Sequence, residues 1–149
     1  MAEIRPSDVR FRVVQEYEVL RRSIDELEQS TASLLSESGA AAVADVLARS
    51  AELFCKLSDY IDLERTFVLP SVRNADVWGT IRAQALERDH AGHRNVLDAI
   101  GQERLPDPAD LAHDVRALTH ALRATLEREK REVLSSELLR DDIVGIDVD

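Results

Sequence analysis

The chain has 149 residues with five glycines, four prolines, 4% aromatic and 32% charged side chains. This composition fits one helical domain and disfavours a β-sandwich or barrel. A formal charge of −10 argues against nucleic acid or an anionic membrane as a partner. The single cysteine, Cys55, excludes an intrachain disulfide, and no apolar stretch approaches the roughly 20 residues of a membrane span. We therefore expect one cytoplasmic domain over 1–149, with its core in residues 8–135.

The first predicted helix begins at Pro6, Ser7 or Asp8, with Ser7 or Asp8 as the capping side chain. It ends within 36–39, where Gly39 is expected just beyond the last turn. Steps of four and three residues assign one inward face, which comprises Val13, Tyr17, Leu20, Ile24, Leu27, Thr31 and Leu34.

The second predicted helix begins within 40–43, and Pro70 ends or kinks it. Residues 71–75 are expected to form a short connection to the next helix. The inward face of the second helix comprises Val43, Val46, Ser50, Leu53, Leu57, Tyr60, Glu64 and Phe67.

The third predicted helix has a weak first turn around Val77 and Trp78 and closes near Gly101. Its inward face comprises Leu86, His90, His93, Leu97 and Ile100. The inward face of the fourth helix comprises Leu111, Val115, Leu118, Leu122, Thr125, Glu129 and Val133. Residues 141–149 form an acidic tail. The pattern predicts an all-α fold, an up-down-up-down antiparallel four-helix bundle.

The polar exceptions on these inward faces coincide at one height of the bundle. Residues at equal height in an antiparallel pair have numbers whose mean falls in the connection between them. Glu64 and His90 average near 77, and His90 and Glu129 average near 109. The predicted polar layer therefore draws on all four helices and comprises Tyr17, Tyr60, Glu64, His90, His93, Thr125 and Glu129.

Two arrangements would make this polar layer tolerable, because a bare carboxylate in a core costs several kcal/mol unless it is paired. In the first, a metal ion neutralises the two glutamates. In the second, the layer contains no metal, and the glutamates accept hydrogen bonds from the histidines and tyrosines. The residue types alone leave both open, and ligand type would allow iron, manganese or zinc.

The same residues resemble the hemerythrin-like (HHE cation-binding) domain family over roughly residues 10–135. Helix two reads YIDLERTFVLP over 60–70, keeping the family's glutamate and proline, and helix three reads DHAGHRNVL over 89–97. Helix four keeps Glu129. The sequence departs from the family pattern at three histidine positions, which hold Tyr17, Tyr60 and Thr125.

The resemblance implies a modified non-haem iron site, mononuclear or di-iron, with Glu64 and Glu129 bridging and His90 and His93 as terminal ligands. Tyr60 and Tyr17 would complete the ligand set, since phenolate oxygen binds ferric iron. Redox, peroxide or oxygen- and iron-sensing chemistry is expected rather than O₂ carriage, because histidines are lost. The alternative is a metal-free bundle that serves as an interaction or regulatory module. The sequence identifies no substrate and no protein partner.

Three further residues are expected outside the site. His113 and His120 fall off the inward face and are predicted to lie on the surface. Cys55 is predicted to be a buried, small apolar residue.

Overall fold

The computed structural model describes residues 5–37, 39–102 and 106–132. All regular structure in these ranges is helical: α1 (Pro6–Ser36), α2 (Ala40–Leu63), a π-helical segment (Glu64–Val68), α3 (Leu69–Ala75), α4 (Gly79–Gln102) and α5 (Pro108–Glu132). The all-α prediction is confirmed for these residues. Val133 and the predicted tail 141–149 lie outside them.

The four long helices form a closed ring of contacts. Helix α1 packs against α2 and α5, and α4 packs against the same two helices. The short helix α3 packs on α4. None of the described helices combines the length and hydropathy needed to cross a bilayer.

The predicted inward faces account for most of the core. All seven positions assigned in α1 are buried, as are the six described positions in α5. Three assigned positions elsewhere are only half-buried, namely Val43, Phe67 and His93. The 3.6-residue period of the helix therefore identifies the core face over nearly the whole described chain.

The structure corrects the prediction that the second helix ends at Pro70 and is followed by a connection at 71–75. The helix continues through the π-helical segment into α3, so 71–75 is helical rather than a connection. Pro70 lies at the start of α3, directly after the π-helical segment. The Leu69 N–H donates a hydrogen bond to the Glu64 carbonyl five residues earlier. This turn therefore contains one residue more than an α-helical turn. As a result Val68 faces the core in place of Phe67.

The predicted start at Pro6 and the predicted end within 36–39 are confirmed, but the predicted capping residue and the predicted role of Gly39 are wrong. Arg5 occupies the capping position without a side-chain capping bond, while Asp8 accepts a hydrogen bond from the Arg5 guanidinium at 3.2 Å. Gly39 has φ −84° and precedes α2 as its capping residue. Gly39 therefore does not end α1 as a left-handed residue.

The connection between α3 and α4 is tight because of Gly79. A Cβ at this position would lie 2.1 Å from the Val72 carbonyl oxygen. The Asp76 carboxylate accepts hydrogen bonds from the Trp78 N–H at 2.9 Å and from Arg82 at 2.7 Å. Helix α4 thus begins at Gly79 and does not include Val77 and Trp78, which were expected in its first turn; both of those side chains are exposed.

Candidate metal centre

Three ionisable side chains from three elements meet in the core. Glu64 opens the π-helical segment, His90 lies in the middle of α4, and Glu129 lies near the end of α5. They are 2%, 1% and 1% exposed. One ligand atom from each lies within 4.8 Å of the others, and we call this group the Glu–His–Glu triad.

The imidazole of His90 holds the triad together. Its Nε2 lies 3.0 Å from Glu129 Oε2 and 3.2 Å from Glu64 Oε2. Both of these pairings were predicted from equal height in the bundle. A ring nitrogen carries at most one proton, so two carboxylate oxygens compete for one N–H.

Tyr60 supports Glu129 from the second helix. Its hydroxyl donates to Glu129 Oε1 at 2.8 Å, and its ring packs edge-on against the His90 imidazole at 5.8 Å between centroids. Burial, and then the negative charge of Glu64, hold the pKa of Tyr60 well above its usual value. The phenol therefore keeps its proton and acts as a donor to Glu129.

Two buried polar atoms of the triad lack a partner. Glu64 Oε1 and His90 Nδ1 are shielded from solvent and make no hydrogen bond. A buried acceptor without a donor costs about 1–3 kcal/mol, and more when it is charged. A cation between the carboxylates would satisfy Glu64 and remove the competition for His90 Nε2. The donor set therefore fits a metal ion.

The other predicted site residues lie elsewhere. The Tyr17 ring is buried, but its hydroxyl donates to the exposed Glu127 at 3.3 Å rather than to the triad. Burial, followed by the charge of Glu127, raises the pKa of Tyr17. Glu127 is a partner that the inward-face pattern misses, because it lies on the exposed side of α5.

His93 and Thr125 lie one helical turn from His90 and Glu129, but neither makes a hydrogen bond or ion pair with a triad residue in the described structure. His93 is half-buried, and its Nδ1 lacks a hydrogen bond. Burial, and then the neighbouring His90, lower the pKa of His93. Thr125 is 8% exposed. Within the described residues, the triad is the one set of three or more His, Cys, Asp or Glu side chains whose ligand atoms lie close enough together to share an ion.

Of the three residues expected outside the site, two lie where they were predicted and one does not. His113 and His120 are exposed, as predicted. Cys55 is exposed rather than buried, because it lies two residues from both Leu53 and Leu57 and so points away from their face.

Searches against protein-family models, curated proteins and solved structures find no match to this chain.

Proposed function

We propose that the protein is a hemerythrin-like bundle that holds a non-haem metal ion, with iron as the favoured metal, at Glu64, His90 and Glu129. One observation supports the proposal most directly: the buried Oε1 of Glu64 makes no hydrogen bond. The other oxygen of Glu64 and Oε2 of Glu129 both contact the same nitrogen of His90. A divalent cation is the simplest group that balances this charge in the core.

The up-down-up-down antiparallel order is part of the proposal. The long helices form a closed ring of contacts, and the connections at 37–39, 76–78 and 103–107 are short. Short connections favour antiparallel neighbours in a bundle. That order also accounts for the common height of Glu64, His90 and Glu129.

The ligand chemistry favours a single ion with open coordination positions. Two carboxylates and one imidazole suit iron, manganese and zinc, and three protein ligands are typical of catalytic metal sites. We favour iron because of the resemblance of residues 10–135 to the hemerythrin-like family. A bound iron ion would supply redox chemistry toward O₂ or peroxide.

The chain's own residues would position and shield such an ion. Tyr60 holds Glu129 Oε1, which leaves Oε2 facing His90 and Glu64. Partners of this kind fix the orientation of ligating carboxylates. The burial of all three triad residues excludes bulk water from the ligand atoms.

The second candidate is the metal-free bundle used as an interaction or regulatory module. The hydrogen bond from Tyr60 and the His90 contact give Glu129 partners on both oxygens without an ion. The unpartnered Glu64 Oε1 counts against this candidate, because a self-sufficient polar layer would give it a donor.

Metal analysis of purified protein separates the two candidates. The protein is loaded with ferrous iron, exposed to air and desalted, and its metal is counted. We expect close to one ion per chain in the natural protein and in Glu26→Gln, an exposed carboxylate on α1. Glu64→Gln should lose most of the ion.

Two results would contradict the metal proposal. One is an iron-free natural protein after loading with iron, manganese and zinc in turn, with an unchanged melting temperature. The other is equal metal content in Glu64→Gln and Glu26→Gln. Two ions per chain would instead favour the di-iron form of the site.

A further inference from the structure

The two tyrosines of the chain are both buried, and the hydroxyl of each donates a hydrogen bond to a carboxylate. Tyr60 donates to Glu129 Oε1 at 2.8 Å, inside the triad. Tyr17 donates to Glu127 Oε1 at 3.3 Å, and Glu127 is exposed. Each phenol therefore has its own proton acceptor in place, one in the core and one at the surface.

The two phenols lie at the same height on neighbouring helices. Tyr17 is on α1 and Tyr60 is on α2, and these two helices pack against each other. The two residue numbers average near 38, within the connection that joins these helices. Burial and the charge of Glu64 raise the pKa of Tyr60 most, and Tyr17 raises it further, as expected for two hydroxyls near each other. The pair therefore leads from the triad toward the exposed Glu127.

A buried phenol that is hydrogen-bonded to a carboxylate is arranged to give up an electron. Losing an electron turns the O–H of a phenol into a strong acid, and a cationic radical would be costly in the core. Transfer of the proton to the carboxylate, together with loss of the electron, avoids this charge. The product at Tyr60 is a neutral phenoxyl radical, which burial shields from solvent.

We propose that Tyr60 is a redox-active residue that gives one electron to the metal centre when peroxide is reduced there, and that Tyr17 replaces this electron from the surface side. The inference rests on the proposed metal site at the triad. Tyr60 gives its electron to the centre and its proton to Glu129 Oε1. One peroxide takes up two electrons, and two protons from solvent, to give two waters. Oxidation of the ferrous ion to ferric supplies the other electron.

Tyr17 then restores Tyr60. One electron passes from Tyr17 to the Tyr60 radical, and the proton held by Glu129 returns to the Tyr60 oxygen. The Tyr17 proton goes to Glu127, which exchanges it with solvent because it is exposed. The radical is then on Tyr17, where a soluble enediol reductant such as ascorbate returns one electron and one proton to the phenol.

Electron paramagnetic resonance of the loaded protein tests this role. Ferrous protein is mixed with hydrogen peroxide and frozen at increasing times. We expect a tyrosyl radical whose hyperfine pattern narrows when the protein contains ring-deuterated tyrosine, a label that enters at Tyr17 and Tyr60 only. Trp78→Phe removes an exposed, oxidisable indole and is the matched control, which should leave the signal unchanged.

Two variants assign the radical to its residue. Tyr17→Phe leaves Tyr60 as the single tyrosine, so this variant should keep the early, deuterium-sensitive signal and lose its fast decay. Tyr60→Phe, compared at equal metal content, should lose most of the early signal. Glu127→Gln removes the acceptor of the Tyr17 proton and should also slow the decay, whereas Glu26→Gln should not.

The outcomes separate this inference from the proposed function. A protein that retains no metal removes both. Retained metal without a deuterium-sensitive radical in Tyr17→Phe overturns the redox role of Tyr60 and leaves the metal site intact. A radical that disappears in Trp78→Phe would belong to the indole and would overturn the role as well. Equal decay in the natural protein and in Tyr17→Phe overturns the transfer from Tyr17.

Discussion

Replacing Tyr60 by phenylalanine tests whether its hydroxyl holds Glu129 or binds the metal. The hydroxyl donates to Glu129 Oε1 at 2.8 Å, and both residues are 1% exposed, so water cannot take its place. A hydrogen bond to a charged group contributes about 1.5–3 kcal/mol. For a chain of this length that loss lowers the melting temperature by about 3–12 °C.

Urea unfolding of the metal-free protein followed by circular dichroism measures the change. The matched control is Tyr17→Phe, which removes a hydroxyl bonded at 3.3 Å to the exposed Glu127. Water can replace that bond, so we expect a change within about 0.5 kcal/mol. In the loaded protein, Tyr60→Phe should keep its metal but bind it about 10–100-fold more weakly, as expected for a lost partner of a ligand.

Two results would refute this role for Tyr60. Equal destabilisation by Tyr60→Phe and Tyr17→Phe would show that the buried hydrogen bond contributes nothing. A phenolate-to-iron absorption band that disappears in Tyr60→Phe together with the metal would make Tyr60 a direct ligand, as the sequence resemblance implies.

Three further predictions concern the fold. Gly79→Ala should destabilise the protein by more than about 1 kcal/mol in urea unfolding, because the added Cβ would meet a backbone oxygen at 2.1 Å. Gly92→Ala, with open space around it, should instead stabilise by about 0.5–1 kcal/mol; the reverse order would refute the close approach. Val68→Ala should lower stability by about 1–3 kcal/mol, because Val68 is fully buried; a change within about 0.5 kcal/mol would contradict its inward position. Burial raises the pKa of Tyr60 in the folded state, so stability should fall as pH rises above the unfolded value of 10.0, and less so in Tyr60→Phe. Urea midpoints at pH 9, 10 and 11 check this, and parallel curves for the two proteins would contradict it.

The helical period, together with the assumption that neighbouring helices are antiparallel, gave the most accurate predictions from the sequence. The spacing of Leu20, Ile24 and Leu27 determines which side of α1 meets the core, whatever the neighbouring helix contains. Equal height placed His90 opposite both Glu64 and Glu129, because a short connection leaves little freedom in register.

The sequence predictions are wrong where the position of a side chain's polar atom depends on more than the helix face that carries it. Tyr17 is buried as predicted, yet its long side chain carries the hydroxyl past the core to Glu127. His93 lies three residues beyond His90, about 60° away around the helix, and is half-buried. The period fixes the position of a Cβ but not the path of the side chain beyond it.

The sequence also does not predict the extra residue of the π-helical turn. Phe67, Val68 and Leu69 are consecutive apolar residues, so two registers fit equally well after Glu64. The intrinsic propensities do not separate them, and packing of this segment against α1 and α2 favours the one that buries Val68.

The π-helical turn also determines where the chain can lose one residue without disturbing the core. Deleting one residue from a regular α-helix rotates everything beyond it by about 100°, which turns an apolar face toward solvent. Between Glu64 and Val68 the helix already contains one residue more than an α-helical turn needs. Loss of the exposed Arg65 or Thr66 would let the turn contract while Val68 and Leu69 keep their orientation. A shortened relative could therefore share this core unchanged.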